Sequence, residues 1–203
     1  MVLVLCGRAA DAGIDTRALH GMFRLRSEVF HERLGWDVSI RGGIERDHYD
    51  DQDPVYLIAD IPGRGVVGCM RLLPTTGPNM LCSTFPELLA GERAPCCPRV
   101  WDISRFAVAC PAGAAASASP GSSAVTVALV RALHEHALAQ GIGHGVAVVS
   151  LGLERILRRL GLPLRRFGDG RDRRVGDVRA VACWIDMTRE VRDALRRAES
   201  RAA

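Results

Sequence analysis

The hydrophobic positions near the start of the chain recur at helical spacing. Across residues 15–33 apolar side chains return every three or four positions, and the Asp-Thr pair at Asp15 is typical of a helix N-cap. Residues 34–54, which follow, are rich in glycine and acidic residues and show no sustained period. We therefore predict one helix followed by a long loop, and long structured loops often carry function.

Short apolar runs then alternate with helical stretches. Residues 55–59 and 66–73 predict a β-hairpin, because they flank the turn sequence Pro-Gly-Arg-Gly. The later elements are predicted in this order: a short helix after residue 85, a strand at 100–109, a helix at 124–140, a strand at 146–150, a helix at 153–160 and a strand at 178–187. This order predicts an α/β fold in which helices sandwich one sheet.

Two segments have less definite patterns. Residues 111–123 consist mainly of Ala, Gly and Ser, which predicts either a mobile loop or backbone amides that approach a phosphate at the start of the next helix. Residues 165–179 are rich in arginine and contain too few apolar residues for a core element.

The length of 203 residues suits one substantial core, so we predict a single domain over residues 1–203. No stretch approaches the roughly eighteen unbroken apolar residues of a membrane span, and the apolar start is too short for a signal peptide. We therefore expect a cytoplasmic protein without a membrane partner. The absence of G-x-G-x-x-G and G-x-x-x-x-G-K-[ST] motifs argues against dinucleotide and nucleoside-triphosphate enzymes.

The charged residues are unevenly distributed. All 27 basic residues are Arg, which excludes lysine chemistry such as a Schiff base. Residues 1–100 hold 11 Arg against 13 acids, whereas residues 101–203 hold 16 Arg against 10 acids. An acidic or phosphorylated partner would therefore meet the second half, although arginines also commonly solvate helix faces. The seven cysteines lack the paired spacing of a zinc site, and we predict no metal.

Several charged residues stand where an apolar side chain is expected. Arg26 lies inside the apolar stripe of the first predicted helix, and Arg71 lies inside an otherwise apolar strand. Five carboxylates occur within residues 45–53, without the spacing of an EF-hand loop. Buried arginines near such acids suit a zwitterionic substrate, although solvated acids and an Arg that extends to water are the ordinary alternatives.

The strand at residues 100–109 has polar residues on both of its faces. Regular alternation places Asp102, Ser104 and Phe106 on one face and Trp101, Ile103 and Arg105 on the other. Buried polar groups are costly in a central strand, and such exceptions are typical of functional sites.

Four motifs follow one another in the first half of the chain. They are Arg26-x3-Phe30-x2-Arg33-Leu-Gly-Trp36, Glu45-x-Asp47-x-Tyr49-Asp50, Gly68-x2-Arg71-Leu-x-Pro74-Thr75 and Trp101-Asp-x-Ser104-Arg105-Phe106. Their order and spacing resemble those of the acyl-homoserine-lactone synthase (autoinducer synthase) family. The likeness is close over about the first 110 residues and looser beyond them.

The resemblance implies an N-acetyltransferase-like (GNAT-like) fold, with a mixed, bent central sheet and helices on both faces. It implies an acyltransferase that makes a quorum-sensing signal, by joining an acyl chain to the amine of S-adenosylmethionine and then closing a lactone. S-adenosylmethionine and an acyl thioester are substrates, and no cofactor is implied. Residues 1–110 would form the S-adenosylmethionine side and the active-site strands, and residues 111–203 the acyl-chain and donor side.

The resemblance also suggests roles for individual residues. We expect catalytic roles for Asp102, Asp47, Ser104 and Arg105, and substrate contacts from Arg26, Phe30, Trp36, Asp50, Arg71, Phe106 and Ala147. The amine must lose a proton before it attacks the thioester, and Asp102 and Asp47 are the candidate bases. Asp102 stands where the family more commonly has Glu. Ala147 stands where enzymes that make 3-oxo signals often have Thr, so we expect an acyl chain without a 3-oxo group.

Three questions stay open. The donor is either acyl carrier protein or acyl-CoA, since both are anionic and charge does not separate them. An ordinary N-acetyltransferase would share the fold, but the chain lacks the Q/R-x-x-G-x-G/A phosphate loop of that class. An arginine-rich nucleic-acid-binding protein is the third alternative, but interleaved aromatics and a helix-turn-helix are missing, so we expect no nucleic-acid partner.

Overall fold

A computed structural model describes residues 1–110, 124–191, 193 and 195. The α-helices are α1 (Thr16–Arg26), α2 (Met80–Ser83), α3 (Ala124–Ala139) and α4 (Leu151–Arg159). A π-helical segment, Ser27–Arg33, continues α1, and two short 3-10 helices span His48–Asp51 and Pro86–Leu89. The expectation for residues 111–123 lies outside the described residues.

The strands build one large sheet and a small hairpin. They are β1 (Leu3–Gly7), β2 (Ile40–Arg41), β3 (Ile44–Glu45), β4 (Val55–Ile61), β5 (Gly65–Pro74), β6 (Val100–Val108), β7 (His144–Ser150), β8 (Leu164–Arg166), β9 (Arg173–Val175) and β10 (Val178–Asp186). The large sheet runs in the order β1-β4-β5-β6-β7-β10-β8, β9 also pairs with β10, and β2 pairs with β3. Only β6 and β7 are parallel among these pairs, so the sheet is mixed.

Helices cover both faces of the sheet, as predicted. On β4, Tyr56 and Ile58 pack with α1, whereas Leu57 and Ala59 on the other face pack with α3. This division follows from the alternation of side chains along a strand. The larger core lies on the α3 and α4 side and the second core lies under α1.

The first predicted helix is confirmed and begins as its sequence indicates. Asp15 is the N-cap and accepts a hydrogen bond from the backbone amide of Ala18 at 2.6 Å. The helix widens into π-helical geometry over Ser27–Arg33, and the Leu34 amide donates to the Val29 carbonyl, five residues earlier, at 3.1 Å. Such π-helical segments are rare in proteins, and those that occur are often found at functional sites.

Three sequence-based expectations missed strands. The stretch 34–54, predicted as a long loop, contains the short strands β2 and β3. The edge strand β1 was not predicted, because five residues at a chain start carry little periodicity. The stretch 165–179, predicted to lack core elements, contributes to β8 and β9. These short strands gain their stability from backbone pairing with β10 and from the buried neighbours Leu164 and Phe167. Within the described part of the chain, no helix has the length and apolar character needed to span a bilayer.

Candidate active site

Three arginines and three carboxylates form a buried cluster between α1, the β2–β3 hairpin and strands β5 and β6. We call it the ion cluster; its members are Arg26, Glu45, Asp47, Asp50, Arg71 and Arg105. The formal charges of the six groups balance. A buried charge without a partner is strongly destabilising, so this balance allows the cluster to exist in the interior.

Arg26 anchors the cluster from the end of α1. Its side chain is fully buried, its Nε donates to Glu45 at 2.5 Å, and its two Nη atoms donate to the carboxylate of Asp50 at 2.8 Å each. Tyr56 adds a hydrogen bond of 2.9 Å from its hydroxyl to Asp50. Arg26 therefore bridges the helix to the acid-rich loop through a two-pronged contact that a lysine would not reproduce.

The charge environment of Asp50 keeps it ionised. Burial by itself raises the pKa of Asp50, but the hydrogen bonds and charge of Arg26, with the charge of Arg71, outweigh burial and lower that pKa well below its usual range. Burial likewise acts to lower the pKa of Arg26, and the Asp50 and Glu45 contacts raise it. Arg26 and Asp50 are thus held in their ionised forms.

Asp47 connects the two arginines of the sheet. It accepts from Arg71 at 2.5 and 3.1 Å and from Arg105 Nη2 at 2.6 Å. Asp47 also caps the 3-10 helix His48–Asp51, where its side chain accepts from the amide of Tyr49. Its side chain is 13% exposed, and that of Arg105 is 7% exposed, so these two members are the ones nearest to solvent.

A bulge in β6 brings Arg105 into the ion cluster. The register of β5 against β6 passes from Cys69–Ala107 to Arg71–Ser104, so β6 carries one residue more than β5 between these pairs. Arg105 has a φ of 54°, in the left-handed region that non-glycine residues rarely adopt. Such backbone strain is typical of functional sites.

The bulge overturns the predicted faces of β6. Strict alternation placed Arg105 with Ile103 and placed Phe106 with Asp102 and Ser104. In the structure Arg105 instead reaches the ion cluster on the α1 side, and Phe106 packs against the larger core together with Ile103. Alternation fails here because an extra residue resets the period-two pattern from that point onward.

Strands β6 and β7 diverge and open a cavity. Their parallel pairing ends at Ile103–Ala147, although both strands continue beyond it. The space between them is a cavity of about 160 Å³. Its lining is mainly apolar, from Phe106, Val130, Leu133, Ala147, Val149, Leu153, Leu157 and Ile185 among others, with Asp102, Ser104 and Arg105 on one wall. Protein interiors contain few voids larger than a water molecule, so this is a formed pocket and not a packing defect.

Among the titratable groups of the cavity wall, Asp102 is the one whose pKa is shifted most clearly by burial. Its residue is 1% exposed, Oδ1 accepts from the Leu81 amide at 3.3 Å, and Oδ2 has no hydrogen-bond partner among the residues described here. Burial raises the pKa of Asp102 to about 6, against the lowering effects of the Leu81 amide, the Arg71 charge, the Ser104 hydroxyl and the Met80 amide. A carboxylate with a free oxygen and a pKa near neutrality is suited to accept a proton.

Aromatic rings connect the ion cluster to the cavity. Phe30 stacks on Trp36 with ring centroids 5.3 Å apart, and the Arg105 guanidinium lies 5.4 Å from the centroid of the Phe30 ring. Both rings line the cavity. A cation over an aromatic face is attracted by the ring quadrupole, so Phe30 helps to hold Arg105 in place.

The structure brings the predicted site residues together in two adjoining groups. Arg26, Asp47, Asp50, Arg71 and Arg105 form the ion cluster, and Ser104 accepts from Arg71 Nε at 3.2 Å. Phe30, Trp36, Asp102, Ser104, Arg105, Phe106 and Ala147 line the cavity. The side chains of Arg26, Asp50 and Arg71 are fully buried and are not among the residues that line the cavity, so in this structure they support their neighbours.

Sequence reasoning did not select Glu45, Tyr56 or Met80 as site residues. Glu45 is fully buried and accepts from both Arg26 and Arg105, and Met80 Sδ lies 3.3 Å from Arg105 Nη1. Glu45 opens the acidic motif of the loop, so its position in that motif was an available signal. Tyr56 and Met80 have the pattern of core residues, and only the tertiary contacts distinguish them.

Within the described ranges, no three His, Cys, Asp or Glu side chains are placed to hold a metal ion together. The acids of the ion cluster are engaged by guanidinium groups.

Comparisons with known proteins match almost the whole chain. The family model described as "Autoinducer synthase" matches residues 13–195. An acyl-homoserine-lactone synthase of Pseudomonas aeruginosa is 40% identical over 196 residues, which are 96% of this chain and 94% of that protein. The crystal structure of the AHL synthase LasI superposes with a TM-score of 0.85 at 40% identity, covering 96% of this chain and 94% of that one.

A second solved structure carries ligands. It is a CoA-dependent acyl-homoserine lactone synthase, BjaI, with SAM and isopentyl-CoA, at 30% identity and a TM-score of 0.83, covering 98% of this chain and 90% of that one. A putative N-acetyltransferase from Lactobacillus plantarum, 17% identical, superposes with a TM-score of 0.58 over 92% of this chain and 99% of its own, and shows a shared fold only. The predicted N-acetyltransferase-like fold is confirmed. The chain belongs to the autoinducer synthase family of acyl-homoserine-lactone synthases.

Proposed function

We propose that this acyl-homoserine-lactone synthase carries out its two chemical steps where the ion cluster meets the apolar cavity. The observation that carries the proposal is this junction: a charged, partly exposed edge formed by Asp47 and Arg105 adjoins a mainly apolar cavity whose wall includes Asp102. S-adenosylmethionine is charged and an acyl chain is apolar, so the junction offers each substrate the surroundings that suit it.

The acyl chain occupies the cavity between β6 and β7. Its lining residues, such as Leu133 and Leu157, are buried and apolar, and burying a chain there removes apolar surface from water. The thioester carbonyl then lies at the mouth of the cavity near Ser104 and Asp102. Support comes from the related structure described as containing SAM and isopentyl-CoA.

Asp102 accepts the proton of the α-amine through its free Oδ2. The neutral nitrogen attacks the thioester carbonyl carbon and the tetrahedral intermediate expels the thiolate. The thiolate takes the second proton of the nitrogen, and an amide forms. Both oxygens of Asp47 already accept hydrogen bonds from arginines, so Asp47 orients Arg71 and Arg105 and leaves the base role to Asp102.

Lactone closure needs positioning more than proton transfer. The substrate carboxylate attacks its own γ-carbon, the carbon–sulfur bond of the sulfonium breaks, and 5′-methylthioadenosine leaves with the electron pair. Arg105 is the cluster arginine with an exposed edge, and it pairs with the substrate carboxylate. Phe30 and Trp36 provide aromatic faces for the sulfonium and adenosine groups. Residues 1–110 thus form the S-adenosylmethionine side.

The product has no oxygen at carbon 3 of its acyl chain. Ala147 is 3% exposed and lines the cavity, where its methyl group offers no hydroxyl to bond a 3-oxo group. An unsubstituted acyl chain therefore loses no hydrogen bond when it binds there, whereas a 3-oxo group would lose its hydrogen bonds to water without gaining one from Ala147.

The donor is an anionic acyl thioester, either acyl-CoA or acyl carrier protein. Helix α4 lies over the cavity through Leu153 and Leu157, and its outer face carries Arg155 and Arg159. Both arginines are exposed and form no ion pair among the residues that the structure describes. Arg158, by contrast, forms an ion pair with Glu154, which also pairs with Arg166. Residues 111–203 thus contribute the acyl-chain and donor side.

The test is release of 5′-methylthioadenosine by purified protein, supplied with S-adenosylmethionine and with matched acyl-CoA and acyl-carrier-protein donors side by side. We expect donor-dependent release together with an acyl-homoserine lactone of the same chain. Products dominated by 3-oxo species would overturn the carbon-3 assignment. No release with any donor from folded protein would favour a plain N-acetyltransferase.

A further inference from the structure

We propose that Gly145, which is not one of the reacting groups, sets the width of the acyl cavity because it leaves room for the side chain of Ile103. This inference rests on the proposed acyl-binding role of the cavity and names a residue pair that tunes chain-length preference.

Gly145 lies on the same face of β7 as two cavity-lining residues. Side chains of one face recur at every second position, so Gly145 aligns with Ala147 and Val149. Ala147 and Val149 line the cavity, but Gly145 does not. The space that a side chain at Gly145 would take is filled by Ile103 from β6 and by Met187.

The contact is too close for any side chain at position 145. A Cβ on Gly145 would lie 2.4 Å from Ile103 Cδ1, 3.3 Å from Ile103 Cγ1 and 2.9 Å from Met187 Cε. The backbone of Gly145 does not have the positive φ that favours glycine. Space, and not backbone conformation, is therefore the reason for glycine here.

Ile103 separates Gly145 from the cavity. It is 7% exposed, lines the cavity and forms the last parallel pair with Ala147 before the strands diverge. Met187, 6% exposed, blocks the other side. A side chain at position 145 would therefore move the end of Ile103 toward the cavity, because the empty space lies there.

The consequence concerns the acyl chain. A methylene group gained or lost in an apolar pocket changes discrimination by roughly 10- to 200-fold. Gly145→Ala should narrow the cavity and reduce kcat/KM for long acyl donors by at least about tenfold relative to short ones. Ile103→Val, which removes the crowded Cδ1, should shift the preference toward longer chains.

The experiment measures kcat/KM and lactone products with saturated donors from butanoyl to dodecanoyl for the wild-type enzyme and four variants. Gly145→Ala should favour shorter chains, and Gly145→Ala/Ile103→Val should restore the wild-type profile. Gly143→Ala is the matched control, since a Cβ there would meet only Arg99, at 3.7 Å and 3.9 Å. It should keep the wild-type profile.

The outcomes separate the inference from the proposed function. An unchanged profile in Gly145→Ala, or an equal loss for every donor, would overturn the role of Gly145. Ile103→Val alone supplies the test if Gly145→Ala does not fold, and an unchanged or shortened preference in it would count against the proposal. Absence of lactone from the wild-type enzyme with all donors would instead contradict the proposed function.

Discussion

Arg105 Nη2 lies 2.6 Å from Asp47 Oδ2, although regular alternation along β6 predicts the opposite face of the strand for Arg105. The extra residue of the β6 bulge, with a φ of 54° at Arg105, turns this guanidinium toward the α1 side, where Arg105 lines the cavity together with Asp102 and Ser104. The proton acceptor and the arginine proposed for the substrate carboxylate thus come from one strand.

Asp102 should govern the pH dependence of acylation. Because burial raises the pKa of Asp102 to about 6 and a base acts only when ionised, kcat/KM should rise with pH through about 6 and then level off. Asp102→Asn should lower the rate by about 10²- to 10⁴-fold and remove this dependence. Asp102→Glu, which keeps a carboxylate, is the control and should retain a pH-dependent rate. An unaltered pH profile in Asp102→Asn would exclude the base role.

Asp102 should also reduce stability at neutral pH. Its pKa is raised above the unfolded value of about 3.9, so the folded state binds the extra proton between about pH 4 and 6. The stabilisation by protonated Asp102 is therefore complete below about pH 4 and is lost as the pH rises through about 6. Urea unfolding should show Asp102→Asn to be more stable than wild type at pH 7, with a smaller difference at low pH. A destabilised variant at pH 7 would contradict this assignment.

Arg26→Met should strongly destabilise the fold. It removes one cation from a balanced buried cluster, so Glu45 and Asp50 keep only one arginine partner each and the cluster carries a net negative charge, at a cost of about 3–5 kcal/mol in the free energy of unfolding. The control is Arg46→Met, which removes a pair with Asp51 in which both side chains are more than half exposed. Chemical denaturation should place the control within about 1 kcal/mol of wild type. If both variants lower the free energy of unfolding equally, the loss of an arginine from the buried cluster costs no more than the loss of one at the surface.

Ala147→Thr should admit 3-oxo donors. The new hydroxyl can donate to an oxygen on carbon 3, which should raise the ratio of kcat/KM for 3-oxo over unsubstituted donors by about three- to tenfold. Ala147→Val has a similar shape without the hydroxyl and should not raise the ratio. Mass spectrometry of products from mixed donors gives the ratio directly, and a rise in both variants would point to shape alone.

The exposed arginines of α4 should matter for a carrier-protein donor. Arg155→Glu/Arg159→Glu should lower kcat/KM with acyl carrier protein by about tenfold at low salt, and the loss should shrink as salt increases. Arg41→Glu/Arg64→Glu makes the same change in net charge at exposed positions in the first half of the chain and is the control. Equal losses in the two double variants would mean that net charge, and not the α4 surface, attracts the donor.

The sequence by itself determined the three longer helices α1, α3 and α4, five of the ten described strands and most residues of the ion cluster. Periodicity predicted α1 and its Asp15 cap. The charges of Arg26 and Arg71, which stand in apolar runs, indicated the ion cluster. Both signals are local, because helical spacing and a charge in an apolar run are properties of neighbouring residues.

The tertiary structure decided what local pattern does not contain. Strands β1 and β8 exist because other strands pair with them, and Arg105 changes face because β6 gains a residue relative to β5. The cavity exists because β6 and β7 separate after Ile103, and the closeness of Ile103 to Gly145 limits it. Pairing, register and close approach are relations between distant segments, so one residue's neighbours in sequence do not specify them.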